Sequence, residues 1–163
     1  MCVAWLLGVL KLTILAILII MPYRAVVGGV HFKTHIKCIL ATGVFYIGTA
    51  ILSKYIEFWE NTKNITTGIT WILAIGLITL YAPADTEDVP ILRQKERRIK
   101  KILSYIILTT MLSCSMIIKN NVLSNLLLFG AMFQTITIAR FMYKLAGNKY
   151  GYEEYIKNQN RTL

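Results

Sequence analysis

The chain has 163 residues, 56% of them hydrophobic and only 16% charged, with a formal net charge of +10. Soluble domains carry about a quarter charged residues, so the composition excludes an ordinary soluble enzyme and points to a membrane protein. A base is costly in hydrocarbon, so the excess of Lys and Arg is expected in the connections, where it reports orientation rather than nucleic-acid binding.

A span needs about 20 apolar residues, because about 30 Å of hydrocarbon is crossed at about 1.5 Å per residue. Five segments qualify, at residues 3–21, 36–58, 65–82, 102–118 and 122–143. All are predicted helical, since lipid offers no partner to an open backbone. The first lacks the basic start and the cleavage site of a signal peptide and reads as a retained helix. It places Lys11 mid-span, where the side chain either snorkels to one face or enters a polar pocket. In the second and third, Gly43, Gly48, Gly68 and Gly76 are predicted to allow close helix packing. Next comes "PADTEDVP" (83–90), a turn-rich loop holding Asp85, Glu87 and Asp88. "RQKERRIKK" (93–101) follows, carrying Arg93, Lys95, Arg97, Arg98, Lys100 and Lys101. The fourth span is short and is expected to extend back into this basic run, with Cys114 as a small buried hydrophobe. The fifth carries a weakly polar patch, Gln134, Thr135 and Thr137, suited to interhelical hydrogen bonds. The predicted fold is all-α and polytopic, with about five transmembrane helices plus a short re-entrant or loop segment before the second.

The first connection holds Arg24, Lys33 and Lys37. The third holds the six bases of the basic run, and the tail holds Arg140, Lys144, Lys149, Lys157 and Arg161. The second and fourth connections hold only Lys54, Lys63 and Lys119. This asymmetry places the first and third connections and the C-terminus in the cytoplasm, a reducing compartment in which free thiols persist. With five spans Met1 then lies outside, with no charged residue ahead of the first span to set that orientation. The expectation is a single integral membrane domain over 1–163 that lacks an upstream helix.

"GGVHFKTHIKC" (28–38) is the chemically equipped stretch. Three readings are open. The loop's His and Cys side chains only pack. Or His31, His35 and Cys38, at i, i+4 and i+7 of one helix, offer a His2Cys zinc site with water as the fourth ligand. Or Cys38 is a nucleophile activated by a histidine. A thiol near pKa 8.5 is mostly protonated at neutral pH; a neighbouring imidazole takes the proton, and a helix N-terminus favours the thiolate. On a straight helix His35 is the nearer base. His31 would lie about 10.5 Å along the axis, so it serves only if the chain bends between it and Cys38.

This stretch resembles the Gly-Gly-x-His-(six residues)-Cys signature of the AgrB family, the accessory gene regulator B peptidases of Gram-positive bacteria. "YAPADTEDVPI" (81–91) resembles that family's Tyr-Ala-Pro-Ala segment, which ends in Pro-Ile before a basic run. Order, spacing and hydrophobic pattern agree over nearly the whole chain. Two departures stand out: Phe32 replaces a commonly small residue, and the chain begins later than family members usually do.

The resemblance implies a membrane-embedded cysteine endopeptidase of the bacterial cell membrane that cuts the C-terminal tail from an AgrD-like pheromone precursor. It implies Cys38 as nucleophile and His31, not His35, as general base, preceded by Gly28 and Gly29. It implies a thioester acyl-enzyme that leads to thiolactone closure, with no cofactor. Asp85 or Asp88 is a candidate to orient the imidazole. Backbone N–H groups around Gly28 and Gly29, or at the start of the second helix, are candidate oxyanion donors. The basic run would hold the precursor's acidic tail. Membrane lipids surround the protein, and a homodimer is allowed. The competing class is a small transport or binding subunit; mid-span Lys11 supports it, and the lack of acidic pairs in the spans opposes it.

Overall fold

The computed structural model describes residues 1–32 and 34–160. Lys33 and Arg161, two of the bases counted above, lie outside the described residues. Eight helices follow in order: α1 (Cys2–Leu6), α2 (Leu10–Val27), α3 (His35–Tyr55), α4 (Glu60–Tyr81), α5 (Gln94–Ile117), α6 (Asn121–Ile136), α7 (Arg140–Ala146) and α8 (Gly151–Gln159). Among the described residues only isolated β-bridges accompany them. Four helices, α2 to α5, are long and apolar enough to cross a membrane; there are five if the bent pair α6–α7 counts as one.

The centre of the bundle is α6, which packs against α2, α3, α4 and α5. Its residues from Ser124 to Ala131 are all buried. A helix apolar on every side belongs inside, and the sequence "SNLLLFGA" meets that demand. Closest approach comes at Gly130, where a Cβ would stand 2.8 Å from the Ile20 side chain of α2. The four glycines expected to play this part do not. A Cβ on Gly43, Gly48, Gly68 or Gly76 would meet nothing within 4 Å. Close approach therefore falls on α6 at Gly130 and not at these four glycines.

Three boundaries differ from expectation. The first segment is not one helix from residue 3. Gly8, at φ +63°, separates α1 from α2, and α2 then runs past Pro22 to Val27. Lys11 therefore sits in the first turn of α2 and is exposed. That removes the chief support for a polar transport pocket. Arg24, counted as a loop base, lies in the last turn of α2. The fifth span bends by 72° between α6 and α7. Thr137 Oγ1 donates to Gln134 O at 2.7 Å at that break, a local bond that competes with helix continuation. By contrast, α5 does extend back through the basic run, as expected, beginning at Gln94.

Candidate active site

The end of α2, the segment 82–91 and the break between α6 and α7 meet at one end of the bundle. Gly28 terminates α2 at φ +83°, and Gly29 follows at φ +141°. Both angles favour glycine. The Ala84 N–H donates to Val27 O at 2.9 Å, and the Gly29 N–H donates to Ala84 O at 3.0 Å. A Cβ on Gly28 would lie 2.1 Å from Ala84 O, and one on Gly29 would lie 2.6 Å from Thr137 Oγ1. The Gly-Gly and Tyr-Ala-Pro-Ala stretches, far apart in sequence, thus form one backbone junction. Gln134 Nε2 donates to Gly28 O at 2.9 Å. Arg24 donates to Gln134 Oε1 at 3.3 Å and to Val30 O at 2.9 Å.

His31 lies in the non-helical segment beyond this junction, and its backbone N–H donates to Asn148 Oδ1 at 3.2 Å. It borders a cavity of about 590 Å³ shared with Arg24, Phe32, Asp85, Asp88 and Lys100. Desolvation by the surrounding protein holds its imidazole below the usual 6.5, and the Arg24 charge pushes the same way. Asp88 partly offsets both. At neutral pH the ring is therefore mostly uncharged and free to accept a proton.

Cys38 is in the first turn of α3, half-buried, with a free thiol. Its N–H donates to Thr34 O at 3.0 Å. It borders an apolar cavity of about 420 Å³ that also touches Arg24, Phe32, Val44, Phe45 and Met142. A second cavity of about 290 Å³ joins Cys38 to Met1 and Tyr46. Arg24 and Phe32 line both the His31 cavity and the larger Cys38 cavity. No hydrogen bond joins the His31 and Cys38 side chains here. Because α3 begins at His35, His31 is off the helix and the i, i+4, i+7 face does not form. Among the described residues no three His, Cys, Asp or Glu side chains gather as a metal-holding group. His35 remains three residues from Cys38 on the same helix, is exposed as His31 also is, and, unlike His31, lines none of these cavities.

The acids and bases divide by environment. Asp85 is buried, and its Oδ2 accepts from Ile91 N–H at 2.8 Å and from Arg97 at 3.0 Å. Its Oδ2 is committed to the start of α5, while its buried Oδ1 has no hydrogen-bond partner among the described residues; Asp88, exposed, is the acid whose charge reaches His31. Arg97 also donates to Pro83 O and lies 4.3 Å over the Tyr152 ring. Lys101 donates to Thr79 O at 2.7 Å. These two bases hold the protein together, whereas Arg93, Lys95 and Arg98 are exposed and Lys100 borders the His31 cavity. The backbone N–H groups of Gly28 and Gly29 are occupied by Arg24 O and Ala84 O, so they are not free oxyanion donors in this geometry.

The family model for Accessory gene regulator B (AgrB) matches residues 1–138. The chain belongs to the AgrB family. Relatives named "Putative AgrB-like protein" include one from Clostridium acetobutylicum, 27% identical over 91% of this chain and 69% of its own length. One from Listeria welshimeri is 26% identical over 78% of this chain and 61% of its own length. One from Listeria monocytogenes is 25% identical over the same shares. No solved structure matches.

Within the AgrB match fall both sequence motifs, α1 to α6 and the break after α6. Asn148, α7 and α8 lie beyond it. Sequence reasoning missed Arg24, Gln134 and Asn148 as parts of this site. Gln134 carried a signal, a polar patch on an apolar helix. Arg24 was masked by its apparent place in a loop, and Asn148 had no signal at all.

Proposed function

We propose that this AgrB-family protein is a membrane-embedded cysteine endopeptidase that removes the C-terminal tail of an AgrD-like precursor. Family membership supports a role of that general type. The observation that carries the finer reading is the shared wall. His31 lies off the helix ahead of α3, Cys38 sits in the first turn of α3, and Arg24 and Phe32 line the cavities of both.

His31 takes the Cys38 proton. The thiolate attacks the scissile carbonyl, the C–N bond breaks, and the imidazolium returns its proton to the leaving amine. This leaves an acyl thioester on Cys38. A cysteine thiol within the precursor then attacks that carbonyl, forming one C–S bond while the other breaks. Cys38 is released as a thiol and the peptide becomes a thiolactone. The exchange swaps one thioester for another and is near balance in energy, so water must be kept out. The apolar lining of the Cys38 cavity suits that need. Donors for the oxyanion fall to the first-turn N–H groups of α3, which a helix N-terminus leaves without intrahelical partners. The distribution of Lys and Arg supports a cytoplasmic location for this end of the bundle.

Co-expression with a precursor peptide tests the assignment. Cys38→Ala and His31→Ala should each abolish tail removal, while His35→Ala retains it. Full cleavage by Cys38→Ala would end the peptidase reading. A dead His35→Ala beside an active His31→Ala would transfer the base to His35.

A further inference from the structure

Several bonds fasten the segment that carries His31. Gln134 reaches Gly28 O, Gly29 N–H reaches Ala84 O, Arg24 reaches Val30 O, and His31 N–H reaches the side chain of Asn148. Among the described residues only the last of these acts on His31 itself, and it comes from the chain after the last span, outside the matched residues. Asn148 is 7% exposed, and its Nδ2 has no hydrogen-bond partner among the described residues. Burying an amide with one end unsatisfied is unfavourable, and an apolar side chain of similar size would avoid that loss. The one hydrogen bond its side chain makes among the described residues is to His31.

The backbone around Asn148 is fixed by other means. Gly147 adopts φ +70°, and Asn148 N–H donates to Tyr143 O at 2.9 Å. The Tyr143 and Tyr150 rings stack at 4.2 Å, and the Tyr150 hydroxyl donates to Ile138 O at 2.6 Å. A Cβ on Gly151 would lie 2.2 Å from Thr86 O. The segment is thus clamped between the α6–α7 break and the 82–91 connection without help from the Asn148 side chain.

We propose that Asn148 is a positioning residue for His31: its side-chain carbonyl holds the His31 backbone N–H and so fixes where the imidazole is presented. The segment 147–150 then belongs to the active site, an inference that rests on the peptidase reading for its catalytic meaning but not for its structural one. The charged groups about His31 are Arg24 of α2, Asp85 and Asp88 of the connection and Lys100 of α5, with Lys144 and Lys149 beside Asn148.

The chain has two histidines, so a His35→Ala background leaves one imidazole to follow by NMR. In detergent micelles, Asn148→Leu should be at least as heat-stable as the parent. Its His31 resonance should broaden, and its titration should move toward the ordinary 6.5 as the imidazole leaves the cavity wall and the Arg24 charge. Asn148→Asp keeps the acceptor, so it should retain one narrow resonance with a midpoint raised by the new carboxylate. In the cleavage assay Asn148→Leu should lose at least about tenfold in kcat with KM little changed, since misplacing a reacting group by an ångström can cost about 100-fold. Asn148→Asp should recover most of that loss, with its acid limb at higher pH. An unaltered His31 resonance in Asn148→Leu overturns the proposal, whatever the cleavage rate. If that variant does not fold, an unmoved midpoint in Asn148→Asp overturns it equally. If the parent chain cleaves no precursor while the resonances behave as described, the peptidase reading fails and the anchoring of His31 stands.

Discussion

At His31 the local charges set a measurable pH dependence. A general base must be neutral to act, and burial with Arg24 holds this imidazole below 6.5. The acid limb of cleavage should therefore lie below pH 6.5. Removing the opposing acid, by Asp88→Asn, lowers the pKa further and moves the limb to lower pH. Removing the repelling base, by Arg24→Gln, raises it and moves the limb to higher pH. Rate profiles from pH 4 to 8 check both signs, and equal or reversed shifts would place another group on the limb. Gly28 offers a stability test at the same scale. An alanine there meets Ala84 O at 2.1 Å and must hold φ +83°. With ψ at −152° this backbone lies in a region that essentially only glycine occupies, at a cost of about 1–3 kcal/mol for another residue, so Gly28→Ala should lower the unfolding temperature in detergent. Gly76→Ala, whose Cβ meets nothing within 4 Å, should be neutral or gain up to about 1 kcal/mol from helix propensity.

Between elements, the Asp85–Arg97 pair ties the 82–91 connection to α5. The Asp85 side chain is 1% exposed and that of Arg97 18%, so neither charge is well solvated. Arg97→Leu leaves a buried carboxylate unpaired and should cost about 3–5 kcal/mol. The double change Asp85→Asn with Arg97→Leu should recover much of that, which a thermal-unfolding cycle would measure. The exposed Arg93–Glu96 pair at 3.6 Å should contribute about 0.5 kcal/mol or less. The basic run looks uniform as a string of letters. Helix periodicity sorts it: Arg97 and Lys101, four apart on one face of α5, turn inward to the connection and to α4, Lys100 borders the His31 cavity, and Arg93, Lys95 and Arg98 are exposed.

Over the whole molecule, the His31 end, the basic start of α5 and the C-terminal segment gather at one pole, and Lys54, Lys63 and Lys119 lie toward the other ends of their helices. With Cys2, Cys38 and Cys114 replaced by serine, Lys119→Cys should react with an impermeant maleimide on intact cells. Lys157→Cys should react only after permeabilisation. The reverse pattern would invert the protein and put His31 outside. The number and rough extent of the spans were legible because apolar runs of membrane length have one stable outcome in lipid. Helix ends were less so. Gly8 and Thr137 break apolar runs through backbone geometry that hydropathy does not register, and Pro22 fails to break one.

The amino-acid string alone determined a helical membrane protein, its charge asymmetry, and two motifs whose residue types suit thiol chemistry. These follow from composition and local order, which act over a few neighbours. Only the tertiary structure decided that the two motifs share a backbone junction at Gly28 and Ala84, that Asp85 Oδ2 pairs with Arg97, and that the Asn148 side chain accepts from the His31 backbone. Those contacts join residues far apart in the chain. They depend on how α2, α5 and α6 pack, a property of the assembled bundle and of no single stretch within it.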